Sequence, residues 1–342
     1  MRTRLRVGLI ALAVLGGIVA TGSWFYQYTR VWLHAPIAQL TTKTVYEVPR
    51  GAALISVLSD LKTRGLIEHP RELSTWVRLM RPGFTLKAGE YELVPGMSPT
   101  DIADLFHSGK VLLHKFTIVE GSTTKELRAL LAAQTGIKPV ARPFSGRELM
   151  LKLDRAGIHP EGQFFPDTYR FPKGTHDLEI LRIANARMSK ELELAWSGRE
   201  PGLPLANAYE ALILASIVEK ETALASERPL IAGVFIERLR KGMRLQTDPT
   251  VIYGLGDAYD GNIRKADLLR DTPYNTYTRA GLPPTPICLP SAAALDAVVH
   301  PKLTGAIFFV ATGNRDGSHN FSRTLEEHNA ALKQYLRRLR QR

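Results

Sequence analysis

Ala211-Leu212-Ile213-Leu214-Ala215-Ser216-Ile217-Val218-Glu219-Lys220-Glu221-Thr222 contains no glycine or proline, and Ser216 alone interrupts its apolar first eight residues. The spacing predicts a helix with Ile213, Leu214, Ile217 and Val218 on one arc facing a core. Glu219 falls on another face, beside Ala215, Ser216, Thr222 and Ala223, whose small side chains leave room for a ligand. Glu221 falls at the edge of the core arc near Leu214 and Val218, so the two carboxylates point about 200° apart. A carboxyl on so apolar a helix is expected to hold its proton more tightly, as a general acid at neutral pH requires. Most glutamates in such settings are ion-paired and structural. Glu221 is expected to be one of those, paired with Arg228 or Lys220.

Downstream, Ser226-Glu227-Arg228-Pro229 opens a second helix through Val234, Phe235 and Leu239. From Lys241 to Pro290 the chain is rich in Gly, Pro, Asn, Thr and Tyr and has little periodicity. Three motifs stand out there: Arg244-Leu245-Gln246-Thr247-Asp248-Pro249-Thr250-Val251-Ile252-Tyr253-Gly254, Tyr274-Asn275-Thr276-Tyr277 and Gly281-Leu282-Pro283-Pro284. Aromatic faces with amide and carboxylate groups suit sugar rings; the same residues equally suit a packed turn region with tyrosines as partial core. Ile307-Phe308-Phe309-Val310 predicts a buried strand. Thr324-Leu325-Glu326-Glu327 has capping-box spacing for a closing helix, whose Arg337, Arg338, Arg340 and Arg342 read as a solvated face.

Upstream, three segments repeat one pattern of strand, glycine turn and amphipathic helix. They are Val45–Leu61, Tyr91–Leu105 with Ser98 or Thr100 as cap, and Phe116–Leu131. Their spacing is uneven, which excludes a solenoid. Segments 139–146 and 197–204 read as connectors, with a helix from Leu178 to Trp196 between them. At the start, Arg2, Arg4 and Arg6 precede an uncharged run from Val7 to Tyr28. About twenty apolar residues suffice to span a bilayer. The basic end is expected to stay cytoplasmic, with Trp24, Phe25, Tyr26 and Tyr28 at the far interface. An uncleaved anchor is favoured over a signal peptide, because the run is long and no Ala-x-Ala site is evident.

The 342 residues are 44% hydrophobic and 23% charged, an ordinary globular composition with room for two folded units. With 45 Lys and Arg against 33 Asp and Glu, the net charge of +12 favours an anionic partner. The extracytoplasmic placement makes nucleic acid a poor one. Cys288 is the single cysteine, which excludes an intrachain disulfide and a dithiol centre. There is no phosphate-binding glycine loop, His-Glu-x-x-His or Gly-x-Ser-x-Gly motif. The nine histidines are scattered, so neither a metal nor another cofactor is expected.

The motif around Glu219 resembles the membrane-anchored endolytic murein transglycosylases, the YceG-like family. Glu161-Gly162-Gln163-Phe164-Phe165-Pro166-Asp167-Thr168-Tyr169, the three loop motifs and the His319-Asn320-Phe321…His328-Asn329 end extend the likeness over nearly the whole chain. Departures at Gln163-Phe164-Phe165 and Thr285-Pro286-Ile287-Cys288 are minor. The resemblance implies an α+β protein of three parts. These are a cytoplasmic tail and single transmembrane helix (1–30), a small LysM-like α+β module (31–115) and a larger mixed α+β catalytic domain (116–342). The three repeated segments fit the place of the module. It further implies cleavage of the β-1,4 bond between N-acetylmuramic acid and N-acetylglucosamine in nascent peptidoglycan strands, with 1,6-anhydro-muramyl ends and limited strand length.

Glu219 would be the single general acid and base, because the substrate's own C6 hydroxyl replaces the second carboxylate of an ordinary glycosidase. Gln246, Thr247, Asp248, Tyr253, Tyr274, Asn275 and Tyr277 are the expected substrate contacts. The implied site is the cytoplasmic (inner) membrane, single-pass, with the catalytic domain on the periplasmic, extracytoplasmic side. Glycan strands and the membrane are the implied partners, with peptidoglycan synthases alongside. A wall-binding tether with a structural Glu219 is the competing reading, and the intact motif set counts against it. An extracytoplasmic assembly scaffold, using the C-terminal arginines or the anchor helix for partners, is compatible with the transglycosylase reading.

Overall fold

The computed structural model describes residues 2–340, and side chains from Val14 onward apart from Phe25. The chain divides into two units, Met1–His114 and Lys115–Arg342. The first contains α1 (Arg2–His34), β1 (Thr44–Val48), α2 (Leu54–Thr63), α3 (Pro70–Met80), β2 (Gly89–Leu93) and α4 (Pro99–Ser108). At 1.5 Å per residue α1 is about 50 Å long. Among the described residues no helix is long and apolar enough to cross a membrane. The first third of the expected span, up to Ala13, and Phe25 lie outside the described side chains. In the remainder Val14, Leu15, Ile18, Val19 and Trp24 are all exposed.

β1 and β2 pair antiparallel with Tyr46 opposite Tyr91. Alternation along both strands turns Tyr46, Val48, Tyr91 and Leu93 inward, onto Leu58, Leu61, Leu73, Ile102 and Phe106. The C-terminal turn of α1 joins this core through the fully buried Leu33, whose carbonyl accepts from the Thr100 hydroxyl at 3.0 Å. Ser98, not Thr100, caps α4 through a reciprocal box with Asp101. α3 goes unpredicted by the sequence pattern, because it buries only Leu73 and Val77.

The second unit begins at β3 (Leu113–Thr117) and α5 (Thr124–Ala133), followed by β4 (Ile137–Lys138), α6 (Gly146–Lys152), β5 (Thr168–Pro172), β6 (Thr175–His176) and α7 (Asp177–Ser197). Then come α8 (Ala208–Glu221), α9 (Arg228–Arg240), α10 (Asp248–Leu255), α11 (Lys265–Leu269), α12 (Ala292–Val299), β7 (Phe308–Ala311), β8 (His319–Ser322) and α13 (Leu325–Arg340). The third repeated segment therefore belongs here and not with the first two. β3 pairs with β5, and Phe116, Ile118, Leu127 and Leu131 share a core with Leu149, Phe164, Phe171 and Leu181. A larger core gathers α8, α9 and α12 with Phe165, Met188 and Ile287.

The strand expected from Ile307 to Val310 forms as β7, but it is half-buried because it pairs with β8 alone. On α13, Arg338 is not simply solvated. It donates to the Thr312 carbonyl at 2.6 Å and to Asn314 Oδ1 at 3.1 Å.

Candidate active site

The central helix of the second unit is α8. Asn207 caps it by accepting the Glu210 N–H at 3.1 Å, and every residue from Ala211 to Val218 is buried. A helix apolar all round must lie inside its domain. Both ends emerge, the first turn at residues 208–210 and the last at Glu219, Lys220 and Glu221.

One turn before Glu219, Ser216 fastens the 287–291 segment to α8. Its hydroxyl accepts the Ile287 N–H at 2.9 Å, and its carbonyl accepts the Cys288 thiol at 3.2 Å. Burial pushes that thiol well above its ordinary range, so Cys288 carries no reactive thiolate. This anchorage delivers Ser291 to the carboxylate. Glu219 Oε2 accepts the Ser291 N–H at 2.9 Å and its hydroxyl at 2.5 Å. The other oxygen, Oε1, accepts from Arg228 Nη2 at 3.1 Å. The Glu219 side chain is only 6% exposed and that of Arg228 13%, so the pair is shielded from bulk water.

These partners differ from the sequence expectation in two respects. Arg228 pairs with Glu219 and not with Glu221, while Lys220 donates to the Gly121 carbonyl at 3.3 Å. Beside the expected small residues, donors meet both oxygens of Glu219. Arg228 also has a buried Nε with no hydrogen-bond partner among the described residues. That N–H is unspent hydrogen-bonding capacity buried beside the carboxylate.

The cleft here measures about 480 Å³, with Val119, Glu120 and Gly121 on one wall and residues Glu219 to Ala223 with Arg228 on the other. Hydrogen bonds between Gly121 N–H and the Leu289 carbonyl, and between Leu289 N–H and the Ser122 carbonyl, hold the first wall. Gly121 sits at φ +73°, a left-handed conformation that favours glycine, and a Cβ there would touch Glu219 Cγ at 3.8 Å. Glu120 is exposed on this wall, and the sequence pattern assigned it no role.

Glu221 turns the other way, as the helical spacing predicts. Its Oε1 accepts the Thr247 hydroxyl. Burial pushes its carboxyl up to about 7; the Thr247 hydrogen bond opposes this, Asp248 adds to it, and His319 and Arg238 counter it. Arg238 ties the same region together by donating to the carbonyls of Ile307 at 2.6 Å and Leu245 at 2.7 Å. His319 is anchored by Glu227, through its N–H at 2.8 Å and Nδ1 at 2.7 Å.

The loop residues expected at the site form two groups. Around Glu221 lie Thr247, Asp248 and Tyr277, whose hydroxyl donates to Asp248 Oδ1 at 2.6 Å. Gln246 is exposed and sits at φ +50°, a left-handed conformation that a non-glycine residue adopts at some cost. Away from these, Tyr253 donates to Glu161 Oε2 at 3.0 Å and packs edge-on against Tyr274 at 4.8 Å. Tyr274 is hydrogen-bonded to Thr285 at 2.8 Å. Asn275 is buried; its amide nitrogen donates to the Arg270 and Leu268 carbonyls at 2.7 and 3.1 Å, and its oxygen accepts the Tyr277 N–H at 2.8 Å. Ser291 and the pairing of Arg228 escaped the sequence pattern. A serine opening a helix gives no signal of the carboxylate it meets 72 residues away.

Comparison with known proteins bears on the whole arrangement. The chain is similar to the endolytic murein transglycosylase of Bacillus subtilis (strain 168), with 30% identity over 327 residues, covering 88% of this chain and 87% of the relative. It is also similar to the endolytic murein transglycosylase of Streptococcus pneumoniae (strain ATCC BAA-255 / R6), at 27% identity; the match covers 96% of this chain and 65% of that longer relative. Among solved structures, the crystal structure of a yceG-like protein from Listeria monocytogenes aligns with a TM-score of 0.50 and 30% identity, over 85% of this chain and 99% of the other. Residues 46–334, which contain α8 and the whole of the cleft around Glu219, match the model of the YceG-like family, and the chain belongs to that family.

Proposed function

We propose that this chain is a peptidoglycan lytic transglycosylase that cuts the β-1,4 bond between N-acetylmuramic acid and N-acetylglucosamine within glycan strands and leaves 1,6-anhydro-muramyl ends. The observation that carries this reading is Glu219, a shielded carboxylate at the mouth of a cleft, beside a guanidinium with an unused N–H. Protonated Glu219 gives its proton to the leaving oxygen as the C1–O4 bond breaks. The muramyl C6 hydroxyl attacks C1 and forms the C1–O6 bond, and its proton passes to Glu219. Arg228 and Ser291 stabilise the carboxylate present between the two transfers. Gln246, Asp248 and Tyr277 offer exposed or half-exposed groups on the Glu221 side of α8 and do not line the cleft at Glu219. Thr247, Tyr253, Tyr274 and Asn275 serve by holding the loops.

The names of the relatives support peptidoglycan as the substrate, and its acidic stem peptides complement a net charge of +12. The uncharged run from Val7 to Tyr28 supports a single-pass anchor in the cytoplasmic membrane; a place beside peptidoglycan synthases is proposed on the family likeness alone. The strand–helix–helix–strand order of β1, α2, α3 and β2 supports a LysM-like module.

Mass spectrometry of products from purified strands tests the reading. Wild type should yield anhydro ends and folded Glu219→Gln none; reducing ends would mean a hydrolase, and bound but uncut glycan a tether. One observation favours a second assignment of the acid. Glu221 is the carboxyl that burial keeps protonated up to about 7. If it is the acid, Glu221→Gln abolishes cleavage and Glu219→Gln leaves some.

A further inference from the structure

The second unit contains another cleft, about 680 Å³, that the chemistry above does not use. Its floor is a face of α5 bearing the exposed Ala129, Ala132 and Ala133, and its rim carries Lys125, Arg128 and Arg142. Lys125 is bridged to Asp257. Arg128 is held by one nitrogen, since Nη2 donates to the carbonyls of Phe144 at 2.5 Å, Ala141 at 3.1 Å and Arg142 at 3.4 Å. Among the described residues neither Arg128 nor Arg142 has a carboxylate partner, which leaves Nε and Nη1 of Arg128 and the whole Arg142 head for a ligand.

The two acids of the cleft are turned into its frame. Glu161 accepts the Thr124 N–H at 2.8 Å, the Thr124 hydroxyl at 3.0 Å and the Tyr253 hydroxyl at 3.0 Å. Burial also raises its carboxyl above the ordinary range. Asp177 accepts the N–H groups of Val140 and Ala141 at 3.0 Å each and of Leu178 at 2.7 Å. What faces outward is a pair of guanidiniums over a floor of methyl groups.

We propose that this cleft binds a short peptide bearing carboxylates and small side chains and, resting on the transglycosylase reading, that the peptide is the stem peptide of the strand being cut. Guanidiniums recognise carboxylates through paired N–H donors, and an alanine floor accepts methyl side chains but leaves larger ones unsupported. The position suits the role. Thr124, on the cleft's edge, is three residues from Gly121, where a side chain would lie 3.8 Å from Glu219 Cγ. Three residues span at most about 10 Å.

The test uses the full-length chain and a fluorescent pentapeptide, alanyl-γ-glutamyl-lysyl-alanyl-alanine, read by anisotropy. Wild type should bind it, and binding should weaken about tenfold when the peptide carboxylates are amidated or when the exposed Arg142 is changed in Arg142→Glu. Arg128→Gln should weaken it comparably, with circular dichroism confirming its fold. No binding by wild type, or equal binding by the amidated peptide and by Arg142→Glu, overturns the proposal. Because the readout is binding, it stands apart from the product analysis: absence of anhydro ends would refute the transglycosylase reading while the peptide result still decides this one.

Discussion

Replacing Glu221 by glutamine should make the protein more resistant to rising pH. The carboxyl sits near 4.5 in an unfolded chain and about 7 in the folded one, because burial penalises its charge more than the Thr247 hydrogen bond, His319 and Arg238 compensate. A folded-state value above the unfolded one means that the native protein binds the extra proton. The associated stability is fully present below about pH 4.5 and is lost as pH rises through 7. At about 1.4 kcal/mol per unit, the 2.5-unit gap corresponds to about 3 kcal/mol. Glutamine is neutral throughout and keeps an oxygen for Thr247. Urea unfolding of the full-length chain, followed by circular dichroism at pH 4.5, 6 and 8 and fitted with one transition per unit, reads the effect. The two proteins should be closest at pH 4.5, with the variant gaining about 3 kcal/mol on wild type in the second unit's transition by pH 8. Parallel pH dependences would refute the claim that a buried carboxyl at this position strains the native state near neutrality.

Two further substitutions test the packing that builds the site. Ser291→Ala removes a 2.5 Å donor to Glu219 and the cap that accepts the Ala294 N–H at 3.2 Å. It should cost about 1–2 kcal/mol in thermal unfolding and lower kcat, and an unchanged kcat would show that Glu219 does not need this donor. Gly233→Ala would ordinarily stabilise a helix by about 1 kcal/mol. Here the new Cβ would lie 2.3 Å from the Lys302 carbonyl oxygen, so the sign should reverse, with a loss of about 2 kcal/mol visible as a lower Tm.

Where the chain pattern was strong, the elements form as predicted: α8, α9 and α7 follow the apolar spacing of their segments. The helical spacing also separates the two glutamates correctly. It places Glu219 with Ser216, and both touch the 287–291 segment. It places Glu221 at the edge of the core, where burial does raise its carboxyl. A helical wheel tells which residues share a face and not what covers it, so only the structure shows donors on both Glu219 oxygens and the burial that holds the Glu221 carboxyl up at about 7. Arg228 lay equally near both glutamates in sequence, and the turn between α8 and α9 decided between them. The third repeated segment looked like the first two locally; the expected boundary at 115/116 left it outside the module, and the pairing of β3 with β5 shows what it packs with.

By itself, the sequence determined the buried central helix, the face on which Glu219 stands, the family and the basic charge that an acidic polymer would complement. The family is carried by the resemblance of several long motifs; the rest are properties of local periodicity and composition, which need no partner to be expressed. The tertiary structure alone decided that Ser291 and Arg228 hold Glu219, that Thr247 and Asp248 border Glu221, and that Arg128 and Arg142 rim an alanine-floored cleft. Apart from Arg228, a turn away on the next helix, those neighbours lie tens of residues off along the chain. Their meeting is set by how the cores close, and no local pattern encodes that.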